Sequence, residues 1–225
     1  MFGIIVIASA DMGSALVYFF IFAVMLFAGG LSLWWFLAGI AALGACVPLI
    51  WNFVLNSGQK ARIMAPYDPS IDPSGLGVSW QANQSKAAIS AGGLTGQGLY
   101  HGEMTQSGSV PQQHTDFIFS AVGEELGFIG CLAVSLLLLA IIARCFYVSY
   151  KSGYMLGYLV CTGMGAMMIA QTLENIGMCL GLTPVIGLTL PFFSYGGTSI
   201  VTNFVAMGIV AGIKMRARRQ RLQGY

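Results

Sequence analysis

Apolar runs dominate this chain, and one polar interval of about fifty-five residues breaks them. From Gln59 to Gln113 the sequence turns to Gly, Ser, Gln and Pro with much of the charge, while the apolar runs on either side hold long stretches with none. Only 8% of all residues are charged, and the mean hydropathy is +0.77. A soluble core of this size has no use for so little charge, so the pattern specifies a polytopic membrane protein. Two spans are expected before the polar interval, Asp11 to about Phe27 and Leu33 to Leu55, and three after it, Phe117 to Ala143, Tyr154 to Leu180 and Ser199 to Ile213. The first ten residues are apolar but rise only about 15 Å as a helix, roughly half a bilayer core. They lack a basic n-region and read as the outer end of a helix that begins outside the chain.

The expected fold is therefore all-α: about five transmembrane helices, an N-terminal helix stub and a large extracellular loop. Residues 1–58 hold the stub and two spans, 59–116 the loop, and 117–225 three spans and a basic tail. Seven of the ten cations lie in two short stretches, Arg144 to Lys151 and Lys214 to Arg221. Cations in short segments beside spans stay in the cytoplasm, which sets the C-terminus inside and the long loop outside. The Lys214 to Arg219 run abuts an apolar helix, so its partner is membrane lipid rather than nucleic acid. Cys46, Cys131, Cys145, Cys161 and Cys179 form no C-x-x-C pair and read as small buried hydrophobes.

A loop this long inside a compact protein is functional. Trp80 to Ser90 reads as a short helix on the membrane surface, with Gln81, Gln84 and Ser85 turned from lipid. Where the loop meets the third span, Asp116 stands as an acid at the mouth of an apolar bundle. Its structural alternative is a helix N-cap, shared with Thr115, which does not exclude chemistry. Helical spacing would place Asp116, Ser120, Glu124, Gly127 and Cys131 on one polar, small-residue face, which favours a cavity over lipid. A carboxylate there suits a general base acting on a sugar hydroxyl. Glu124 and Glu125 are adjacent and cannot share a face, so one of them is expected to line the cavity. Gln171, Glu174 and Asn175, at i, i+3 and i+4, form either an interhelical hydrogen-bond cluster or another wall of that cavity.

The stretch around Pro184 and Pro191 is apolar yet cannot be a regular helix, and it reads as a loop dipping back into the bundle. Ser194, Tyr195, Gly196 and Gly197 then open the last span. The alternatives there are close packing by the glycines or a seat for a lipid-linked pyrophosphate on free helix N–H groups. Ala91 to Gly98 is glycine-rich but has neither the preceding strand nor the Lys-Ser/Thr of a nucleotide loop. His101-x-Glu103 and His114-x-Asp116 lack the support of a metal motif. No dedicated metal site is expected; a loosely held Mg²⁺ or Mn²⁺ bridging Asp116 to a substrate phosphate is the more natural cofactor.

Taken in order, Gly92-Gly93 with Gly96 and Gly98, His114 to Phe119, Glu124 to Gly127 and Pro191 to Gly197 resemble the SEDS family, the RodA/FtsW/SpoVE proteins of bacterial shape, division and sporulation. Asp11 to Ser14 and Gln171 to Gly177 resemble two further family stretches. The resemblance implies a ten-helix enzyme of the bacterial cytoplasmic membrane, of which this chain is roughly the C-terminal half. It implies polymerisation of lipid II into glycan strands on the outer face, beside a class B penicillin-binding transpeptidase. The family's essential aspartate falls on Asp116, which would activate the acceptor's GlcNAc hydroxyl as undecaprenyl pyrophosphate leaves. His114, Thr115, Gln84, Ser85, Glu124, Gln171, Asn175, Ser194, Tyr195, Gly196 and Gly197 are the candidate substrate-binding residues. Gln112 stands where the family has Glu. A flippase for the lipid carrier, or a non-catalytic scaffold for the transpeptidase, is the alternative.

Overall fold

A computed structural model describes residues 12–222; the N-terminal stub, Asp11 and residues 223–225 lie outside the described residues. All regular structure among them is helical. Helix α1 covers Met12–Ala28 and α2 covers Leu33–Leu49, which continues as a π turn over Ile50–Val54 just past Pro48. The loop contributes α3 (Ser57–Met64), α4 (Trp80–Gly92) and the single turn α5 (Glu103–Gln106). Helices α6 (Ile118–Lys151), α7 (Met155–Cys179) and α8 (Gly197–Leu222) complete the bundle. By length and composition four helices can cross a membrane, and α1 is a shorter apolar helix beside them. This is a multi-pass membrane protein. Its third and fifth spans run further than their apolar stretches, because α6 and α8 carry helix on into the basic residues.

Helix α7 is the hub, packed against α6 on one side and α1 on another. Without a hydrophobic drive between helices in lipid, close backbone approach through small residues is what holds them. Gly163 and Gly165 show this: a Cβ on the first would sit 2.9 Å from Met25 Sδ, and on the second 2.9 Å from the Phe146 ring. Cys131, Cys145, Cys161 and Cys179 are buried as expected, but Cys46 is exposed, because α2 buries none of its residues.

The loop is bound to the bundle through its backbone. Within α6 the helical path breaks at Gly127 (φ 67°, ψ −165°), which orphans amide and carbonyl groups on both sides. The glycine-rich stretch after α4 fills that break. Phe128 and Ile129 N–H donate to the carbonyls of Gly93 and Leu94 (2.9 and 3.2 Å), while Gln97 and Gly98 N–H donate to those of Glu124 and Glu125 (2.9 and 3.0 Å). The backbones lie so close that a Cβ on Gly127 would meet Gly96 N and Leu94 O. These glycines splice a broken membrane helix.

Helix α4 is held against the bundle by its small-residue side. Its small residues Ala82, Ser85, Ala88 and Gly92 are buried, and the helix packs on α6. The re-entrant reading of the proline stretch is correct in form: residues 181–196 contain no helix, and Leu190 and Pro191 are fully buried in the core with Phe117.

Candidate functional site

Asp116 precedes α6 and does not cap it. Phe117 occupies the N-cap position, and no side chain there accepts from the first helical N–H groups. The carboxylate instead opens on a cavity of about 600 Å³, bounded by Arg62, Trp80, Gln81, Val185 and Gly187 among others. Burial pushes the Asp116 carboxyl above the usual carboxylate range, and a hydrogen bond from Thr115 offsets part of the rise. Thr115 Oγ1 also donates to Gln112 Oε1 (3.1 Å), at the position where charge is absent from this chain.

The backbone of Asp116 is fixed from two sides. Fully buried Asn175 donates through Nδ2 to the Asp116 carbonyl (2.7 Å) and to the Leu188 carbonyl (2.6 Å), joining α7, the acid and the re-entrant segment. On the other side Ser194 Oγ donates to the Thr115 carbonyl (2.6 Å) and accepts from Leu190 N–H (2.7 Å), and Tyr195 N–H donates to the His114 carbonyl (2.7 Å). The re-entrant segment comes closest at Gly187 (φ +72°), where a Cβ would lie 3.2 Å from Asp116 Oδ2.

Two further cavities meet the first at Arg62 and Val185. One of about 490 Å³ reaches from Arg62 and Gln59 past Leu16 of α1 to Glu174 and Thr183. Thr183 Oγ1 donates to Glu174 Oε1 (3.4 Å), and the buried Glu174 Oε2 has no partner. The other, about 180 Å³, brings Lys86 and Asp72 beside Arg62. Asp72 is already engaged, accepting from Ser79 N–H (3.0 Å) and Gly77 N–H (2.9 Å), and the former does most to hold its carboxyl below the ordinary range. No described acid pairs with Arg62 or Lys86. The capping box that starts α3, with Asn56 Oδ1 accepting from Gln59 N–H (2.9 Å) and Gln59 Oε1 from Asn56 N–H (3.1 Å), aims both Gln59 and Arg62.

The sequence-based candidates divide on this geometry. Asp116 faces the cavity. Thr115, Asn175, Ser194 and Tyr195 surround it as supports, and the side chain of His114 is exposed, outside the cavity wall. Glu124 is a correction: it is completely buried, with Oε1 and Oε2 accepting from the N–H groups of Met104 and Thr105 (2.7 and 2.8 Å), and the small-residue face it shares with Ser120, Gly127 and Cys131 is packed rather than open. Ser85 is another, since its hydroxyl is buried between Ser120 Oγ and the Cys179 carbonyl. Gln84 and Gln171 do not border the Asp116 cavity, and of the three-residue polar set on α7 only Glu174 lines a cavity near it. Gly196 and Gly197 neither pack closely nor border that cavity: a Cβ on Gly197 would meet nothing within 4 Å, and on Gly196 only Ser199 at 3.6 Å. Sequence reasoning missed Arg62 and Lys86. The available signal was their isolation, three cations in a long loop with no acid at helical spacing from them.

The chain matches the family described as "Cell cycle protein", FtsW/RodA/SpoVE, over residues 1–219. It is 35% identical over 212 residues to peptidoglycan glycosyltransferase MrdB of Escherichia coli K12, covering 93% of this chain and 56% of that protein. To the probable peptidoglycan glycosyltransferase FtsW of Tolumonas auensis it is 37% identical over 221 residues, covering 96% of this chain and 56% of the relative. In space it resembles a chain solved in the study "Structural coordination of polymerization and crosslinking by a peptidoglycan synthase complex", with a TM-score of 0.77 at 31% identity over 94% of this chain and 58% of that one. The chain thus spans little more than half the length of the relatives it matches. Agreement along almost all of its own length, in sequence and in space, carries the conclusion that it belongs to the FtsW/RodA/SpoVE family of cell cycle proteins.

Proposed function

We propose that this chain carries the reaction centre of a peptidoglycan glycosyltransferase that polymerises lipid II on the outer face of the bacterial cytoplasmic membrane. The observation that carries the reading is the state of Asp116: a half-buried carboxyl, neither capping a helix nor ion-paired, with its backbone bolted down and its side chain opening on a cavity. A carboxylate whose proton affinity is raised by burial is, in its ionised form, a better base than a free one. Asp116 takes the proton of the acceptor GlcNAc hydroxyl. The freed oxygen forms its bond to the donor's anomeric carbon, and the bond from that carbon to the pyrophosphate breaks.

The leaving undecaprenyl pyrophosphate is an anion, and Arg62 and Lys86 are the described cations beside the site that no acid engages. They replace the glycine turn before α8 as its seat in this proposal. The 490 Å³ cavity that continues from Arg62 along Leu16 is walled largely by apolar residues, which suits the first isoprene units. A divalent cation fits only loosely: no group of three His, Cys, Asp or Glu side chains gathers among the described residues, so Asp116 would share it with the substrate phosphates and water. When bound it supplies neutralisation of the pyrophosphate charge. The C-terminus is cytoplasmic in this reading, and a class B transpeptidase is the partner that cross-links the product.

The test is Asp116→Asn in proteoliposomes, read as glycan polymerisation and, separately, as lipid II binding. Lost polymerisation with binding retained supports the base; full polymerisation by Asp116→Asn sinks it. Arg62→Gln with Lys86→Gln should weaken lipid II binding, and unchanged binding in that variant moves the pyrophosphate elsewhere.

A further inference from the structure

Glu174 carries a carboxyl that the polymerase reading does not use. It lies five residues before the end of α7 at Cys179 and is 7% exposed. Its neighbour Asn175 holds the Asp116 carbonyl (2.7 Å), which places Glu174 beside the reaction centre. An ionisable side chain inside a membrane helix faces a partner or a cavity. Structural partners for this one are few. Thr183 Oγ1 lies 3.4 Å from Glu174 Oε1 and 3.3 Å from the Glu174 carbonyl, and its single proton is shared between the two. Oε2 is buried and has no partner. Glu124 shows what a structural acid looks like in this bundle, with each oxygen accepting from a backbone N–H (2.7 and 2.8 Å).

Glu174 has instead a cavity with a cation on it. Among the described residues around the space of about 490 Å³, Glu174 is the only acid and Arg62 the only cation. A tunnel for isoprene units alone has no use for a carboxyl. Arg62 is exposed, and no described acid pairs with its guanidinium; the capping box of α3 fixes the backbone that carries it, not the charged head. The same residue borders the Asp116 cavity, so its head reaches from one space to the other.

A guanidinium presents five N–H donors in a planar fork, so one edge can hold a carboxylate while another holds a phosphate. A long cation with no partner loses rotamer freedom when it binds an anion. A buried acceptor behind it orders the side chain beforehand and lowers that cost at the binding step. We infer that Glu174 is a positioning residue for Arg62: its free oxygen takes one edge of the guanidinium across the cavity and turns another edge to the pyrophosphate of the lipid-linked substrate. The role rests on the pyrophosphate seat proposed above. Glu174 itself touches no phosphate, since like charge keeps the two apart, and its effect runs through the cation.

The experiment is a double-mutant cycle on the binding of undecaprenyl pyrophosphate to the full-length protein in phosphatidylcholine nanodiscs. Arg62→Gln should weaken binding about ten-fold. Glu174→Gln keeps the shape without the charge and should weaken it about five-fold, while the double variant should be no weaker than Arg62→Gln alone. That coupling of about five-fold, or about 1 kcal/mol, is of the size found for side chains in contact. Glu174→Leu suits an apolar wall and should bind no better than Glu174→Gln, whereas Glu174→Asp keeps the charge and should recover part of the loss. A thermal melt confirms that each variant is folded. Weaker binding in Arg62→Gln with none in Glu174→Gln, losses that multiply in the double variant, or tighter binding in Glu174→Leu would overturn the role of Glu174 and leave the seat at Arg62 standing. Unchanged binding in Arg62→Gln would overturn the seat and the role together.

Discussion

Asp116 and Glu124 stand eight residues apart at the same end of α6, and the structure uses them in opposite ways. Glu124 is completely buried and both its oxygens accept from backbone N–H groups, so its charge is spent on holding α5 against the bundle. Asp116 is half-buried, has a cavity in front of it, and receives its tight contacts at the backbone rather than the carboxylate. Burial alone does not mark the reactive acid; the better-buried one is the structural one. What separates them is whether the carboxylate has unused acceptor capacity where a ligand can reach it.

Removing each charge should break the comparison into two different losses. Asp116→Asn keeps the shape and should lower glycan polymerisation by about 10²- to 10⁴-fold, the usual worth of a general base, with an unchanged melting temperature. Glu124→Gln leaves one of two buried N–H donors facing an amide, and should lower stability by about 1.5–3 kcal/mol, the range for hydrogen bonds to a charged group. The folded fraction should keep its turnover. Thermal unfolding in detergent and activity per folded molecule decide between the two. If Glu124→Gln is as stable as the parent but inactive, Glu124 belongs to the chemistry after all.

Gly187 tests whether the space before Asp116 matters as much as its charge. An alanine there meets a positive φ, with a strain of about 1–3 kcal/mol, and its Cβ would stand 3.2 Å from Asp116 Oδ2. Polymerisation should fall by about ten- to a hundred-fold through misplacement of the acid or the acceptor. Gly197→Ala is the control, because its Cβ meets nothing within 4 Å. Equal losses from the two substitutions would point to α8 rather than to the re-entrant segment.

Much of this was legible in the residues. Runs of apolar sequence gave the helices, because hydrocarbon leaves the backbone few other choices, and the paired prolines marked the re-entrant segment. Asp116 stood out as an ionisable group at a boundary. Positions whose role the residues left open share a physical cause: their partners are distant in sequence, and most are backbone atoms. Ser85 meets Ser120 and the Cys179 carbonyl, Asn175 meets the Asp116 and Leu188 carbonyls, and Ser194 meets the Thr115 carbonyl. Every carbonyl looks alike in a sequence, so side chains that bond them resemble ligands' contacts until the fold is known. The two glycine-rich stretches show the same limit, since nothing in their composition tells that Gly96 and Gly127 interlock while Gly196 and Gly197 stand open.

The smallest effect expected is also the one that sharpens the contrast most finely. Burial raises the Asp116 carboxyl and the Thr115 hydroxyl partly lowers it, because a donated hydrogen bond favours the ionised form. A base works only when ionised, so polymerisation should decline as pH falls through this raised value, earlier than an ordinary aspartate would allow. Thr115→Val removes the donor and leaves the burial. The acidic limb of the pH–rate profile should then move to higher pH, with little change on the alkaline side, where Asp116 is ionised in both forms. Because Thr115 holds the segment to Ser194 through its carbonyl and not its side chain, the substitution should leave the fold intact. A limb that stays in place, or moves to lower pH, would mean that the group titrating in that profile is not Asp116.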